Sequence, residues 1–265
     1  MPEGDTIHRS AARLHAALQG LTLLSVVGSR ACSAPPELPG ARVEGVQALG
    51  KHLLFEFSSG WCLHSHMGMT GAWHLYPLGV TWQKPVHYAA VTLGFDDREA
   101  VCFTPKQIAF LTETERRRQP WLRSLGPDLL DATASTEVML GRLRLDAQQP
   151  LGVALLDQRL AAGVGNVYKS EGLFLQGLDP FAPVAAFTPE ELAQLLEHLR
   201  RLMRRNLDGR PRTTRFRADG PRQWVYRREG EACLRCGARI QMRRQGDLGR
   251  STYWCPQCQP PRVSA

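Results

Sequence analysis

Four cysteines near the end of the chain, Cys233, Cys236, Cys255 and Cys258, constrain its folding more tightly than any other feature. They form two C-x2-C pairs separated by eighteen residues. Each pair can offer two thiolates to one ion from a tight turn, and four thiolates complete a tetrahedral zinc site with no open position. The spacing therefore predicts one structural Zn2+ per chain, inside a terminal ribbon too small to fold without its metal. A redox or disulfide use of the same pairs is the competing reading. The chain holds seven cysteines, however, and an odd number fits poorly with a closed disulfide framework. Cys32, Cys62 and Cys102 lie in strand-like or irregular stretches and are expected to be small buried hydrophobes.

Charge narrows the choice of partner. The formal net charge is +8, yet residues 200–250 hold sixteen arginines against five acids, a net of +11, so the remainder nets −3. A charge run on one helix is ordinarily a solvated face, and Arg200, Arg201, Arg204 and Arg205 alone fit that description. Spread over a long stretch of mixed structure, the excess instead matches a phosphate footprint, because neutralising several phosphates releases counterions and gives affinity without base reading. No run approaches the eighteen or so apolar residues of a membrane span. The opening MPEGDTIHRS lacks the positive start and apolar run of a secretory leader. A cytoplasmic protein with an acidic partner and no membrane partner is expected.

Hydrophobic periodicity divides the chain. Ile7, Ala11, Leu14 and Leu18 recur at helical spacing, with Asp5 or Thr6 as the expected cap and Gly20 as the stop. From Leu21 to about Thr104 the pattern becomes a series of short β-type runs: LTLLSVV, RVEGVQAL, HLLFEFS, WCLHSH, GAWHLY, YAAVTLGF and EAVCF. Gly, Pro, Asp and Ser separate them, as in an antiparallel sandwich or barrel. Glu113–Gln119 is the linker candidate, since it shows no apolar face and ends at Pro120. Beyond it STEVMLGRLRL, LGVALLDQRLAAG, NVYKSEGLFLQG and TPEELAQLLEHLRRLMRRNL carry helical spacing.

Few of these segments point to chemistry by themselves. In AGVGN, residues 162–166, a tight turn can present Asn166 and neighbouring amides at a helix start, where N–H groups bind phosphate. A plain helical hairpin is the alternative. His64 and His66 share a strand face, as a metal pair or as hydrogen-bonded sheet histidines. Trp224 and Tyr226 can stack on nucleic acid or anchor the ribbon to the helices.

Taken together, MPEGDT, LGKHLLFEF, LLDQRLAAGVGNVYKSE and CLRCG…GRSTYWCPQCQ, in this order, resemble the formamidopyrimidine-DNA glycosylase and endonuclease VIII family over essentially the whole chain. The resemblance implies an α+β multidomain fold. Residues 1–115 would form a catalytic antiparallel β-sandwich with a leading helix, 116–223 a helical domain with a helix-two-turn-helix motif, and 224–265 the four-cysteine zinc finger. It implies a monomeric, bacterial-type, nucleoid-associated enzyme of base excision repair that acts on damaged double-stranded DNA as both glycosylase and abasic-site lyase.

The same resemblance assigns roles. With Met1 removed, Pro2 would supply a secondary amine that attacks C1′ of the damaged nucleotide and forms an iminium. Glu3 would be the acid/base carboxylate, and Lys51 would support catalysis at the damaged sugar. Asn166 and Arg250 would hold the DNA backbone, and Met69, in HMGMTG, would fill the gap left by the extruded base. For Met69 the competing reading is a core methionine. The Arg and Phe that complete the gap filling in the purine-repair branch have no clear counterpart around FTPKQIAFLT. Gly4, Asp5 and Thr6 after Pro2-Glu3, together with a short segment between Thr213 and Trp224, favour the endonuclease VIII branch and oxidised pyrimidines. Met69 points mildly toward oxidised purines. A non-catalytic DNA-binding protein is the alternative from another class.

Overall fold

In the computed structural model, residues 2–29 and 32–262 are described, and the chain forms two compact units, Met1–Ser124 and Leu125–Ala265. The first opens with α1 (Gly4–Leu18), which buries Ile7, Ala11, Leu14 and Leu18, the positions its sequence spacing selects. The helix starts earlier than its expected caps. Glu3 is the extended N-cap residue, its carbonyl taking the Thr6 and Ile7 amides at 2.9 and 3.1 Å, while Asp5 and Thr6 lie within the first turn. Acidic and hydroxyl residues suit both the cap and the first turn, so residue type alone places this boundary only to within a turn. Gly20, at φ +81°, ends the helix and passes its amide to the Val43 carbonyl.

Eight strands follow: β1 (Ser25–Gly28), β2 (Val43–Leu49), β3 (His52–Phe57), β4 (Trp61–His66), β5 (Ala72–Pro77), β6 (Ala89–Gly94), β7 (Arg98–Phe103) and β8 (Gln107–Thr112). They build two four-stranded antiparallel sheets, ordered β1-β6-β7-β5 and β2-β3-β4-β8. Leu53, Phe55, Phe57 and Leu63 from one sheet and Trp73, Val91, Leu93 and Ala100 from the other share one core with α1. The arrangement is a sandwich with a leading helix. Cys32, Cys62 and Cys102 are buried, as expected of small hydrophobes.

The last strand has no counterpart in the sequence reading. β8 is an edge strand paired only with β4, and just one of its residues is fully buried, so the alternation that marks a strand is weak there. The linker candidate becomes α2 (Glu113–Arg118), closed by a Thr112/Glu115 capping box, followed by α3 (Pro120–Ser124).

The second unit holds α4 (Thr136–Leu145), α5 (Leu151–Ala154), α6 (Asn166–Gln176), α7 (Pro189–Arg204) and a hairpin of β9 (Gln241–Gln245) and β10 (Arg250–Trp254). Helix α7 follows its sequence signals closely, with Thr188 and Glu191 in a capping box and Pro189 in the first turn. The LGVALLDQRLAAG stretch does not. Only Leu151–Ala154 is helical, because side chains downstream take over the backbone groups. Asp157 Oδ1 accepts the Arg159 amide at 2.9 Å and Gln158 Oε1 accepts the Gly163 amide at 3.0 Å. No helix among the described residues is long and apolar enough to cross a membrane.

Candidate functional site

In the first unit, Pro2 leads directly into α1. Glu3 is completely buried as the N-cap residue of that helix. Met1, whose removal would expose the proline nitrogen, lies outside the described residues. Lys51 occupies the tight turn between β2 and β3, next to Gly50 at φ +59°, with Leu49 and His52 paired across the turn. Glu3 and Lys51 thus belong to neighbouring elements, since α1 packs along β2 and β3.

Beside Lys51 stands a group of imidazoles. His52 Nδ1 and His64 Nε2 are 2.8 Å apart, and the indole of Trp121 stacks on both rings at centroid distances of 4.2 Å. One ring must donate and the other accept, which requires a neutral acceptor. Burial, with the neighbouring histidines and lysines, pushes His52 down to about 3, and burial and His66 push His64 down to about 4. His66 is also lowered, by burial and then by the charges of Lys106 and Lys51. His52 and His64 are therefore hydrogen-bonded sheet residues, while His66 Nδ1 is buried without a hydrogen-bond partner among the described residues.

Met69 sits in the β4–β5 connection and is 70% exposed, so it is not a core methionine. The loop can fold tightly against Lys106 only because residue 68 is glycine. Its φ is +63°, and a Cβ there would come within 2.9 Å of the Lys106 Cβ.

In the second unit, Asn166 is the first residue of α6, at the end of the AGVGN turn, with its Oδ1 buried and lacking a hydrogen-bond partner among the described residues. Gln158 stitches this turn together. Its Nε2 donates to the carbonyls of Leu156 and Val164 at 2.8 and 3.1 Å, while its Oε1 takes the Gly163 amide. Arg250 is exposed at the start of β10, on a cleft of about 370 Å³ that Gln158 and Arg159 also line.

The four cysteines converge. Their Sγ atoms all lie within 4.8 Å of one another, with Cys233 and Cys258 at 3.9 Å and Cys236 and Cys255 at 3.4 Å. A zinc tetrahedron with sulfur bonds of about 2.3 Å has edges of about 3.8 Å, so this donor set fits the ion. Among the described residues no other cluster of three or more His, Cys, Asp or Glu side chains has that closeness.

Two important residues escaped the sequence reading. Lys169 and Glu171 are fully buried on α6, a helix enclosed on all sides from Asn166 to Phe174. Glu171 accepts the amides of Trp224, Val225 and Tyr226 at 2.7–2.8 Å and also the Thr214 hydroxyl. Burial raises its carboxyl and these hydrogen bonds oppose the rise. Trp224 and Tyr226 consequently anchor the ribbon. Trp224 packs on Phe174 and Tyr226 meets Tyr253 edge-on. The available signal was polar KSE set among apolar positions covering most of the helix circumference.

Three family models match in succession: the formamidopyrimidine-DNA glycosylase N-terminal domain over residues 1–108, the H2TH domain of the same glycosylase over 125–217, and the zinc finger found in FPG and IleRS over 230–261. The chain is 42% identical over 264 residues to a probable endonuclease 8 2 of Streptomyces coelicolor, covering 98% of this chain and 94% of that one. It is 40% identical over 261 residues to the DNA-(apurinic or apyrimidinic site) lyase Nei2 of Mycolicibacterium smegmatis, covering 98% and 99%. The solved MutM (Fpg) of Thermus thermophilus superposes with a TM-score of 0.81 at 30% identity, over 97% of this chain and 98% of that one. A Lactococcus lactis Fpg bound to abasic-site DNA, at 23% identity and a TM-score of 0.82, covering 98% and 100%, shares the fold. The chain belongs to the formamidopyrimidine-DNA glycosylase and endonuclease 8 family of DNA-repair enzymes.

Proposed function

We propose that this chain removes oxidised pyrimidines from double-stranded DNA and then cuts the strand, with Pro2 as nucleophile. The observation that carries this reading is the complete burial of Glu3, which fixes the residue adjoining the proline at the mouth of α1. With Met1 removed, the Pro2 nitrogen attacks C1′. The base departs with the glycosidic electron pair and takes up the proton lost by the attacking amine. Glu3 then protonates the ring oxygen as the C1′–O4′ bond breaks, and the freed nitrogen lone pair closes an iminium at C1′. Free α-amino groups titrate near about pH 8, so a neutral fraction is present at physiological pH. Loss of a C2′ proton then expels the 3′ phosphate, and a second elimination expels the 5′ phosphate, leaving a one-nucleotide gap.

Lys51, at its turn, supports the chemistry at the sugar. Asn166 and Arg250 hold backbone phosphates, for which a guanidinium provides a two-pronged donor. Exposed Met69 enters the gap left by the base. Cys233, Cys236, Cys255 and Cys258 hold a structural zinc that ties together the base of the hairpin. The relatives named endonuclease 8 favour the pyrimidine branch over the purine one.

Borohydride trapping on a panel of defined lesions tests this reading. A covalent adduct is expected with thymine glycol and abasic-site duplexes, more strongly than with 8-oxoguanine. Glu3→Gln, or a chain that retains Met1, is expected to lose base excision by at least about a hundredfold, the lower range of general acid–base contributions. Full excision by either protein overturns the assignment. Salt-sensitive binding with neither adduct nor cleavage would identify a non-catalytic binder.

A further inference from the structure

Helix α6 has no solvent face along the stretch that carries Lys169, Ser170 and Glu171, and all three side chains reach out of the helix. Lys169 Nζ donates to the Ser251 carbonyl at 3.0 Å and to the Thr252 hydroxyl at 2.7 Å. The Thr252 hydroxyl donates onward to Gln245 Oε1 at 2.8 Å, and Gln245 Nε2 binds the Pro180 carbonyl at 2.8 Å. Ser170 Oγ accepts the Tyr253 amide at 3.3 Å.

These bonds run along β10 from Ser251 to Tyr253, and through Thr252 and Gln245 they reach the turn end of the hairpin. Gln245 and Arg250 are cross-strand partners next to the turn, whereas the cysteines lie beyond its opposite end. An isolated two-stranded hairpin is marginally stable and free to twist, so metal at its base does not by itself fix its tip. The relay from Lys169 through Thr252 to Gln245 does fix it, and it does so from one turn after Asn166 on the same helix. A buried ammonium requires oxygen partners, so this attachment is under strong thermodynamic compulsion.

We infer that Lys169 is a positioning residue that sets Arg250 at a constant offset from Asn166, making the two one rigid clamp on adjacent phosphates of a DNA backbone. The inference rests on the reading of Arg250 as a DNA contact. It predicts that Lys169, which need touch no DNA, controls the contribution of Arg250.

The test is a double-mutant cycle in the full-length, zinc-loaded protein. Wild type, Lys169→Met, Arg250→Ala and the double variant are compared for binding to a duplex with a tetrahydrofuran abasic analogue across a salt series. Arg250→Ala is expected to weaken binding about tenfold and to reduce the salt slope by about one, the signature of one lost phosphate contact. Lys169→Met, at full zinc content, is expected to do nearly the same, and adding Arg250→Ala should then cost little more. Lys169→Arg is expected to restore most of the slope. Should Lys169→Met lose zinc, Thr252→Val breaks the relay without stranding a charge and is expected to give the same reduced slope. The inference is overturned if the Lys169 and Arg250 effects add in full, or if Lys169→Met or, in its place, Thr252→Val keeps the wild-type slope. If Arg250→Ala itself changes nothing, the DNA-contact reading of Arg250 falls, and the inference with it.

Discussion

Leu53, Phe55 and Phe57 in the first unit and Lys169, Ser170 and Glu171 in the second occupy equally dry positions, but they stabilise their surroundings by different physics. The first set joins a continuous apolar core in which each side chain touches many others, so the loss of one is spread over its neighbours. The second set makes a few directed bonds to particular partners. Removing one partner there strands a buried charge or donor, whose desolvation cost is no longer offset. The sandwich is thus graded in its response to damage, whereas the attachment of residues 224–226 and the hairpin to α6 is closer to all-or-none.

Removing zinc should show this contrast most strongly. Apparent binding free energies of structural zinc are about 10–16 kcal/mol in finger peptides, so chelation, or Cys255→Ser, is expected to unfold the β9–β10 hairpin. Hydrogen exchange should show protection lost in that hairpin and retained in β3 and β4. Equal loss in both units would refute the contrast.

Glu171→Ala is expected to rank next. It leaves three amides and the Thr214 hydroxyl without their acceptor, and breaking a buried charged network costs about 3–5 kcal/mol. Urea unfolding followed by exchange at α6 and α7 should register the loss. Glu171→Gln, which keeps an acceptor oxygen without the charge, should lose less. A loss equal to that of Ala would mean that the carboxylate charge, and not the acceptor geometry, holds the segment.

Acid should produce the smallest and most discriminating effect. His52 and His64 are held at about 3 and about 4 in the folded chain, below the usual value near 6.5, so the unfolded chain binds more protons between those limits. Their contribution to the sandwich is complete above about pH 6.5 and is lost as pH falls toward about 4. Glu171 works in the opposite sense, because a raised carboxyl gains protons in the folded state first, while His198, lowered by burial and the Arg201 charge, partly offsets it. Exchange rates at pH 7 and pH 4.5 are therefore expected to show the sandwich weakening more than the helical unit. A uniform response would remove this distinction.

Much of this was legible in local pattern. The cysteine spacing marks a metal cluster, Thr188, Pro189 and Glu191 mark the start of α7, and the apolar alternation of HLLFEF and its neighbours marks the sandwich strands. Glu3 and Lys51 acquired meaning only from four motifs in order, since a terminal carboxylate or a strand-initial lysine is unremarkable alone. The early end of α5 was invisible because side chains at Asp157 and Gln158 compete with the backbone in a way periodicity does not register. Edge strand β8 was missed because only one of its flanks has a partner.

The sequence by itself determined α1, α7, most of the sandwich strands, the four thiolates and the family, because each depends on residues close together in the chain or on motifs whose order is preserved. Only the tertiary structure decided that Lys169 grips Ser251 and Thr252, that Glu171 holds residues 224–226, and that paired histidines lie under Trp121. A buried polar group must find a partner, and which partner it finds is settled by packing between segments dozens of residues apart.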